Sequence, residues 1–310
     1  MSSNPPSTVV GARASTAGDV FHELWALRAA LGLLVPGRTL QAITVEGVAA
    51  PPTAGYTYDG VDCALFHEGV SFETAKKLEL LQLKYSTTDP TKPWTVARLT
   101  YSDAKKGDNS VLRKLADTFK QSVGRTTPGA VLIIRLVSNQ PLDVGVASAI
   151  ANLRAAKSDA DAGKIAKATG LAGQELLTFL EILDFSEMGA TSRSALHDSI
   201  AREVSELLGD HAEAQVLALQ TRIRQLMLPG SEREIVTQST VLSWFGIASI
   251  SGLFPAPPDI RPIGDPIERR PATDIRAHAS GDPRPHREVR GRASFIARRR
   301  QKQNRRAIGV

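Results

Sequence analysis

The stretch that most constrains the fold is ELLQLKY, residues 79–85, because it alternates as a β-strand does. Its side chains divide between two faces, with Leu81, Leu83 and Tyr85 on one and Leu80, Gln82 and Lys84 on the other. Apolar residues on both faces are typical of a strand inside a sheet. A buried, unpaired ammonium is costly, so Lys84 requires a carboxylate, a metal-bound group or a phosphate beside it.

Two further strands are predicted before this one. QAITVEG has Ile43 and Val45 on one face and Thr44 and Glu46 on the other. In YDGVDCALF, residues 58–66, the alternation divides Val61, Cys63 and Leu65 from Asp62, Ala64 and Phe66. The three strands therefore carry Glu46, then Asp62, and then Gln82 with Lys84 two residues later. Oxygen ligands of this kind hold a hard divalent cation, and a lysine beside them can stabilise charge on a reacting phosphate.

Each candidate also has a purely structural interpretation. Glu46 precedes Gly47 and could end its strand in solvent. Asp59 precedes Gly60 and fits a turn, which leaves Asp62 inside a strand, where aspartate is disfavoured without a functional reason. Lys84 could form a buried ion pair with Asp62. His22 and Glu23 lie on the first helix; Glu23 is a weak candidate near the metal, with a solvated position on the helix surface as its structural alternative, and His22 is interpreted as structural.

The ordered set VEG, VD and QLK resembles the PD-(D/E)xK nuclease superfamily, in the variant with glutamine at the second acid. Together with GDVFHELWALRAALGLL and LIIRLVSNQP, it resembles the double-stranded-DNA endonuclease effector domain of bacterial anti-phage systems. The resemblance covers roughly residues 11–255. An insertion, AAPPTAGYTY, separates Glu46 from Asp62, so either Asp59 or Asp62 corresponds to the superfamily's aspartate.

This resemblance implies a restriction-endonuclease-like fold and a metal-dependent endonuclease that hydrolyses phosphodiester bonds of double-stranded DNA. Glu46, Asp62 and Gln82 would hold Mg²⁺, with Mn²⁺ as an alternative, and Lys84 would act on the attacking water or the phosphate. The expected partners are double-stranded DNA and either a second copy of the chain or a separate phage-sensing activator. The alternative function is a catalytically inactive DNA-binding or scaffold module.

The fold class predicted from the elements is α/β, with a mixed sheet, flanking helices and a helical subdomain. Residues 1–17 are expected to form a flexible lead-in, 18–143 the nuclease-like core, 144–255 a helical subdomain without strands, and 256–310 a disordered basic tail. The first helix is predicted to begin at Asp19, and a buried parallel strand is predicted in 130–139.

The charge of the chain is concentrated in the tail. Residues 281–310 carry ten Lys or Arg against Asp282 and Glu288, a charge of +8, whereas the chain as a whole carries +6. The other 280 residues are therefore close to neutral at −2. Phosphate contacts are expected from the tail, while a linker without a role is the alternative. The single cysteine and the absence of a signal-peptide pattern or a long apolar run predict a cytoplasmic protein with no membrane segment.

Overall fold

A six-stranded mixed sheet forms the centre of the protein. The structure, a computed structural model, describes residues 7–48, 58, 60–103, 109–157, 159–189, 191–208, 212–228 and 235–249. The strands are β1 (Leu40–Val45), β2 (Cys63–His67), β3 (Lys77–Lys84), β4 (Val131–Ser138), β5 (Leu183–Asp184) and β6 (Val236–Thr237). Their order across the sheet is β5-β4-β3-β2-β1-β6. The predicted α/β class is confirmed.

Strand β3 lies inside the sheet, as its double-sided apolar pattern predicts. It pairs parallel with β4 and antiparallel with β2, and β2 pairs antiparallel with β1. Every residue of β3 from Leu78 to Leu83 is buried. The predicted parallel strand in 130–139 is also present as β4, although it begins with an exposed residue, Val131.

Helices cover both faces of the sheet. The described part of the chain contains α1 (Ser7–Gly32), α2 (Val96–Thr100), α3 (Val111–Ser122), α4 (Val144–Arg154), α5 (Ala160–Thr169), α6 (Gly173–Ile182), α7 (Arg193–Leu208), α8 (Ala212–Met227) and α9 (Gln238–Trp244). The predicted start of the first helix at Asp19 is wrong, because α1 already begins at Ser7. Residues 7–17 of the predicted lead-in thus belong to α1. None of the described helices combines the length and apolar character needed to cross a membrane.

Two hydrophobic cores lie on opposite faces of the sheet. Leu78 and Leu80 of β3 pack in the core formed with helices α2–α6. Leu81 and Leu83 pack in the other core, with α1 and α7–α9. The predicted faces of β3 are thus confirmed. Val61 differs from its prediction, since it packs with the first core; β2 begins only at Cys63, so the alternation does not extend back to residue 61.

The described residues after 143 pack on both faces of the sheet. Helices α4–α6 pack on one face of the sheet and α7–α9 on the other. The prediction that this segment lacks strands is wrong, because β5 and β6 pair with β4 and β1 at the two edges. All of the described residues belong to one compact unit. The predicted tail, 256–310, lies outside the described residues.

A buried carboxylate at the start of β3 ties three strands together. Glu79, which is 5% exposed, has Oε1 2.7 Å from Lys77 Nζ and 3.1 Å from His67 Nε2. Its Oε2 lies 2.9 Å from Arg135 Nη1, and Arg135 Nε donates to Asp184 Oδ2 at 2.6 Å. Burial alone would raise the pKa of Glu79, but His67, Lys77 and Arg135 outweigh it and lower the pKa from 4.5 to about 2.

We expect Glu79→Gln to lower the free energy of unfolding at pH 7 by roughly 2–3 kcal/mol, from the lowered pKa. A lowered carboxyl pKa stabilises the folded state above the unfolded value near 4.5, and this contribution is lost as the pH falls towards about 2. Urea unfolding at pH 7 and pH 3 should therefore show the difference between variant and wild type shrink at the lower pH.

The matched control is Glu68→Gln, because Glu68 pairs with Lys76 at 2.9 Å on the surface. Such an exposed pair contributes about 0–1 kcal/mol. Equal losses in the two variants would contradict a special role for Glu79.

Candidate metal centre

Three of the four predicted site residues come to the same end of the sheet. Strand β1 ends there, β2 begins there and β3 ends there, because neighbouring strands run antiparallel. Glu46 directly follows β1, Asp62 directly precedes β2, and Lys84 is the last residue of β3. Gln82 lies two residues before Lys84 on the same strand. The two acids, the amide and the lysine thus lie on three neighbouring strands, at or close to the same end of the sheet.

Glu46 is held in a strained backbone conformation. Its φ is +53°, in the left-handed region that residues other than glycine rarely adopt, and Gly47 follows with φ +105°. The turn is fixed by two hydrogen bonds: Glu46 N donates to Asp62 O at 2.9 Å, and Thr44 Oγ1 donates to Gly47 O at 2.7 Å. Strain of this kind costs about 1–3 kcal/mol and concentrates at functional sites.

Asp62 is clamped to the backbone of β3 on both sides of Gln82. Asp62 N donates to Leu81 O at 2.8 Å, and Asp62 Oδ2 accepts from Leu83 N at 2.6 Å. The rival acid, Asp59, lies outside the described residues. A side chain at Gly60 would be crowded, since a Cβ there would lie 3.0 Å from both Lys114 O and Thr118 Oγ1 of α3. The turn before Asp62 is therefore pressed against α3, which fixes where the carboxylate can lie.

Gln82 carries an unsatisfied polar atom. The residue is 1% exposed, and its Oε1 has no hydrogen-bond partner among the described residues. A buried acceptor left without a partner costs about 1–3 kcal/mol. An amide oxygen in this state is chemically suited to bind a cation, and together with the carboxylates of Glu46 and Asp62 it makes a set of oxygen donors that fits the Mg²⁺ that the sequence predicts.

The sequence interpretation of His22 missed its position beside the acids. His22 Nδ1 lies 3.8 Å from Glu46 Oε1, and Nε2 lies 3.1 Å from Leu83 O. Ligand atoms of His22, Glu46 and Asp62 all lie within 4.8 Å of one another. Burial lowers the pKa of His22, but the interaction with Glu46 and the charges of Asp62 and Glu46 outweigh it, so the pKa is raised above 6.5. This is an acidic environment around an imidazole.

Glu23 does not join this group. The residue is 3% exposed, and its carboxylate accepts hydrogen bonds from Arg224 Nη2 at 2.8 Å and from Gln220 Nε2 at 2.5 Å. Both predictions for Glu23 are therefore wrong: it is neither a solvated surface residue nor free to reach a metal. It anchors α1 to α8.

Lys84 is half-buried and has no direct ion-pair partner among the described residues. Burial lowers its pKa below 10.5; Asp62 and Glu46 raise it, and Lys114 of α3 lowers it further. Among the described residues, no carboxylate oxygen lies within 4.0 Å of Lys84 Nζ. The structure thus does not contain the Lys84–Asp62 ion pair that the sequence left open. The ammonium remains available to a group outside the protein.

A comparison of the sequence with models of known protein families finds no match, and neither does a comparison with curated proteins.

We expect Lys84→Met to leave the free energy of unfolding within about 1 kcal/mol of the wild type, or to raise it, because the change removes a desolvated charge that lacks a partner. Thermal and urea unfolding of both proteins measure this. The control is Lys77→Met, which removes an ammonium 2.7 Å from the buried Glu79 and should destabilise the fold. A loss of about 3 kcal/mol or more in Lys84→Met would instead indicate a structural ion pair.

Proposed function

We propose that this protein is a metal-dependent endonuclease that hydrolyses phosphodiester bonds of double-stranded DNA. The observation that carries the proposal is the position, at one end of the sheet, of two carboxylates and a half-buried lysine that interacts electrostatically with both. The lysine shares its strand with Gln82, whose buried amide oxygen has no partner among the described residues. The order of elements supports the proposal. Helix α1, strands β1–β3, helices α2 and α3 and strand β4 follow one another, as expected for a restriction-endonuclease-like core.

The residues fit a divalent cation held through oxygen. Glu46, Asp62 and Gln82 would bind one or two Mg²⁺ ions, or Mn²⁺ in their place. A bound ion would polarise a phosphoryl oxygen and lower the pKa of a coordinated water. The protein's own contribution is to hold these ligands in place: Asp62 through its two bonds to β3, and Glu46 through its strained turn.

Lys84 would stabilise the negative charge that builds on the phosphorus centre, or orient the attacking water. Its burial strengthens any interaction with a phosphate, because less water screens the charge. Lys114 lies close enough to Lys84 to lower its pKa, and it would add a second positive charge on the side of α3. Two lysines beside two acids are suited to a substrate that is itself an anion.

The resemblance to anti-phage effectors supports the biological setting. In this setting, the protein would be a cytoplasmic defence enzyme that degrades DNA without sequence preference. It would stay inactive until it oligomerises or receives a signal from a phage sensor. The tail, with its charge of +8 in residues 281–310, would hold DNA through phosphate contacts, so binding would weaken steeply with salt.

The proposal is tested first by plasmid cleavage. We expect wild type to cut double-stranded DNA with Mg²⁺ or Mn²⁺ and to stop in EDTA, and we expect Lys84→Ala to lower the rate by about 10²–10³-fold, the usual effect of removing one stabilising charge. Lys164→Ala is the matched control, since Lys164 is exposed and pairs with Asp161 on α5.

Cleavage by Lys84→Ala at the wild-type rate would overturn the role of Lys84. If neither protein cuts DNA even after enforced oligomerisation, while both melt normally and both bind the plasmid, the inactive DNA-binding or scaffold module becomes the better description.

Gln82→Glu should bind Mg²⁺ more tightly than wild type by up to about tenfold, or roughly 1.4 kcal/mol, because a carboxylate adds a charge to the ligand set. Isothermal titration with Mg²⁺ measures the change. Gln41→Glu is the control, because it adds the same charge at an exposed position at the start of β1. An equal gain in both variants would attribute the effect to net charge alone.

A further inference from the structure

We propose that His22 binds the metal ion directly through Nδ1, which makes the centre a mixed nitrogen–oxygen site that prefers Mn²⁺ to Mg²⁺. This inference rests on the metal-dependent function proposed above and adds to it a ligand from α1. It assigns a role to the histidine that, among the described residues, lies beside the acids.

The hydrogen bonding of the ring leaves the correct nitrogen free. His22 Nε2 lies 3.1 Å from Leu83 O and, as an N–H, donates to that carbonyl. The lone pair is then on Nδ1, the atom nearer to Glu46. Metal-binding histidines usually donate their second ring N–H to a carboxylate or a backbone carbonyl, which fixes the tautomer and the orientation of the ring. Leu83 O supplies that contact here.

The spacing of the ligand atoms suits a single ion. A cation bound at about 2.2 Å from each ligand can join two ligands up to about 4.4 Å apart. The distance of 3.8 Å between His22 Nδ1 and Glu46 Oε1 lies inside this limit. Asp62 completes the group within 4.8 Å, so a small shift of one ligand atom on metal binding closes the site.

An independent observation on the adjoining strand points to a ligand. Gln82 Oε1 is buried and has no partner among the described residues. Asp62 is bound to the backbone of the residues on either side of Gln82, Leu81 and Leu83. The strand that holds Asp62 therefore carries an acceptor that the described residues leave unsatisfied, and a bound cation would satisfy it.

The residues on both sides of His22 are fixed. Phe21 stacks on Tyr85 with ring centroids 5.0 Å apart, and Glu23 is held by Arg224 and Gln220 of α8. Helix α1 cannot shift, or rotate about its own axis, without breaking these contacts. His22 is thus presented as a preorganised ligand, which reduces the entropy lost on binding.

A nitrogen ligand changes which ion binds best. Mg²⁺ favours oxygen ligands and keeps much of its water, whereas imidazole suits transition metals such as Mn²⁺ and those after it in the affinity series. A site of carboxylates and an amide alone would bind the two ions more nearly alike. The addition of His22 favours Mn²⁺.

Isothermal titration of the full chain with Mn²⁺ and with Mg²⁺, in separate experiments, tests the preference. We expect His22→Phe and His22→Gln to weaken Mn²⁺ binding at least about tenfold and Mg²⁺ binding by less than about threefold. His197→Ala is the matched control, because His197 lies on α7, half-exposed, 3.9 Å from Asp198, and we expect it to change neither affinity. Unchanged Mn²⁺-to-Mg²⁺ ratios in folded His22 variants would overturn the proposal.

Electron spin-echo spectroscopy of Mn²⁺ bound to the wild type gives a direct answer even if both variants fail to fold. A nitrogen bound to the ion gives a ¹⁴N modulation, and its absence would overturn the proposal. The result is separate from the nuclease: a ¹⁴N signal without DNA cleavage would retain the ligand and reject the activity, and cleavage without the signal would do the reverse.

Discussion

The candidate site depends on the attachment of Asp62 to β3. The backbone N–H of Asp62 donates to Leu81 O and its carboxylate accepts from Leu83 N, the residues on either side of Gln82. Glu46 N in turn donates to Asp62 O. One aspartate thereby sets the spacing between the ends of three strands. A one-residue slip between β2 and β3 would move Gln82 to the opposite face and separate the amide from the acids, because side chains alternate along a strand. The register of the sheet therefore determines which side chains are available to the candidate site.

The contacts that stabilise the fold and the residues of the candidate site lie at opposite ends of β3. At its start, the carboxylate of Glu79 contacts His67, Lys77 and Arg135, and its negative charge stabilises the fold. At its end, Gln82 Oε1 lacks a partner, Lys84 is desolvated, and Glu46 across the sheet is strained. Proteins depart from local rules at functional sites and are consistent elsewhere. A single strand of eight residues shows both conditions.

Much of the fold and part of the site could be predicted from the sequence. Strands β1–β3 carry a period-two pattern with apolar residues on both faces, which is a strong signal, and Glu46, Asp62 and Lys84 follow from it. Strands β5 and β6 could not be predicted, because two residues are too few to show a period. The start of α1 was missed because STVVGARASTAG consists mainly of small and polar residues, without the apolar repeat that marks a helix. His22 was missed for a different reason: one histidine has no spacing pattern, and only the packing of α1 on Leu83 brings it to the acids.

The length of chain between Glu23 and Arg224 has a consequence for how the protein is made. These partners are 201 positions apart, and β1 pairs at its outer edge with β6, at residues 236–237. Contacts so distant in sequence form late and slowly, since a long loop must close before they contribute. A ribosome therefore completes every residue of the candidate metal centre long before α1 gains the helix that holds it in place. The acids, the amide and the lysine are synthesised early, and the centre becomes rigid only when the C-terminal third of the chain arrives.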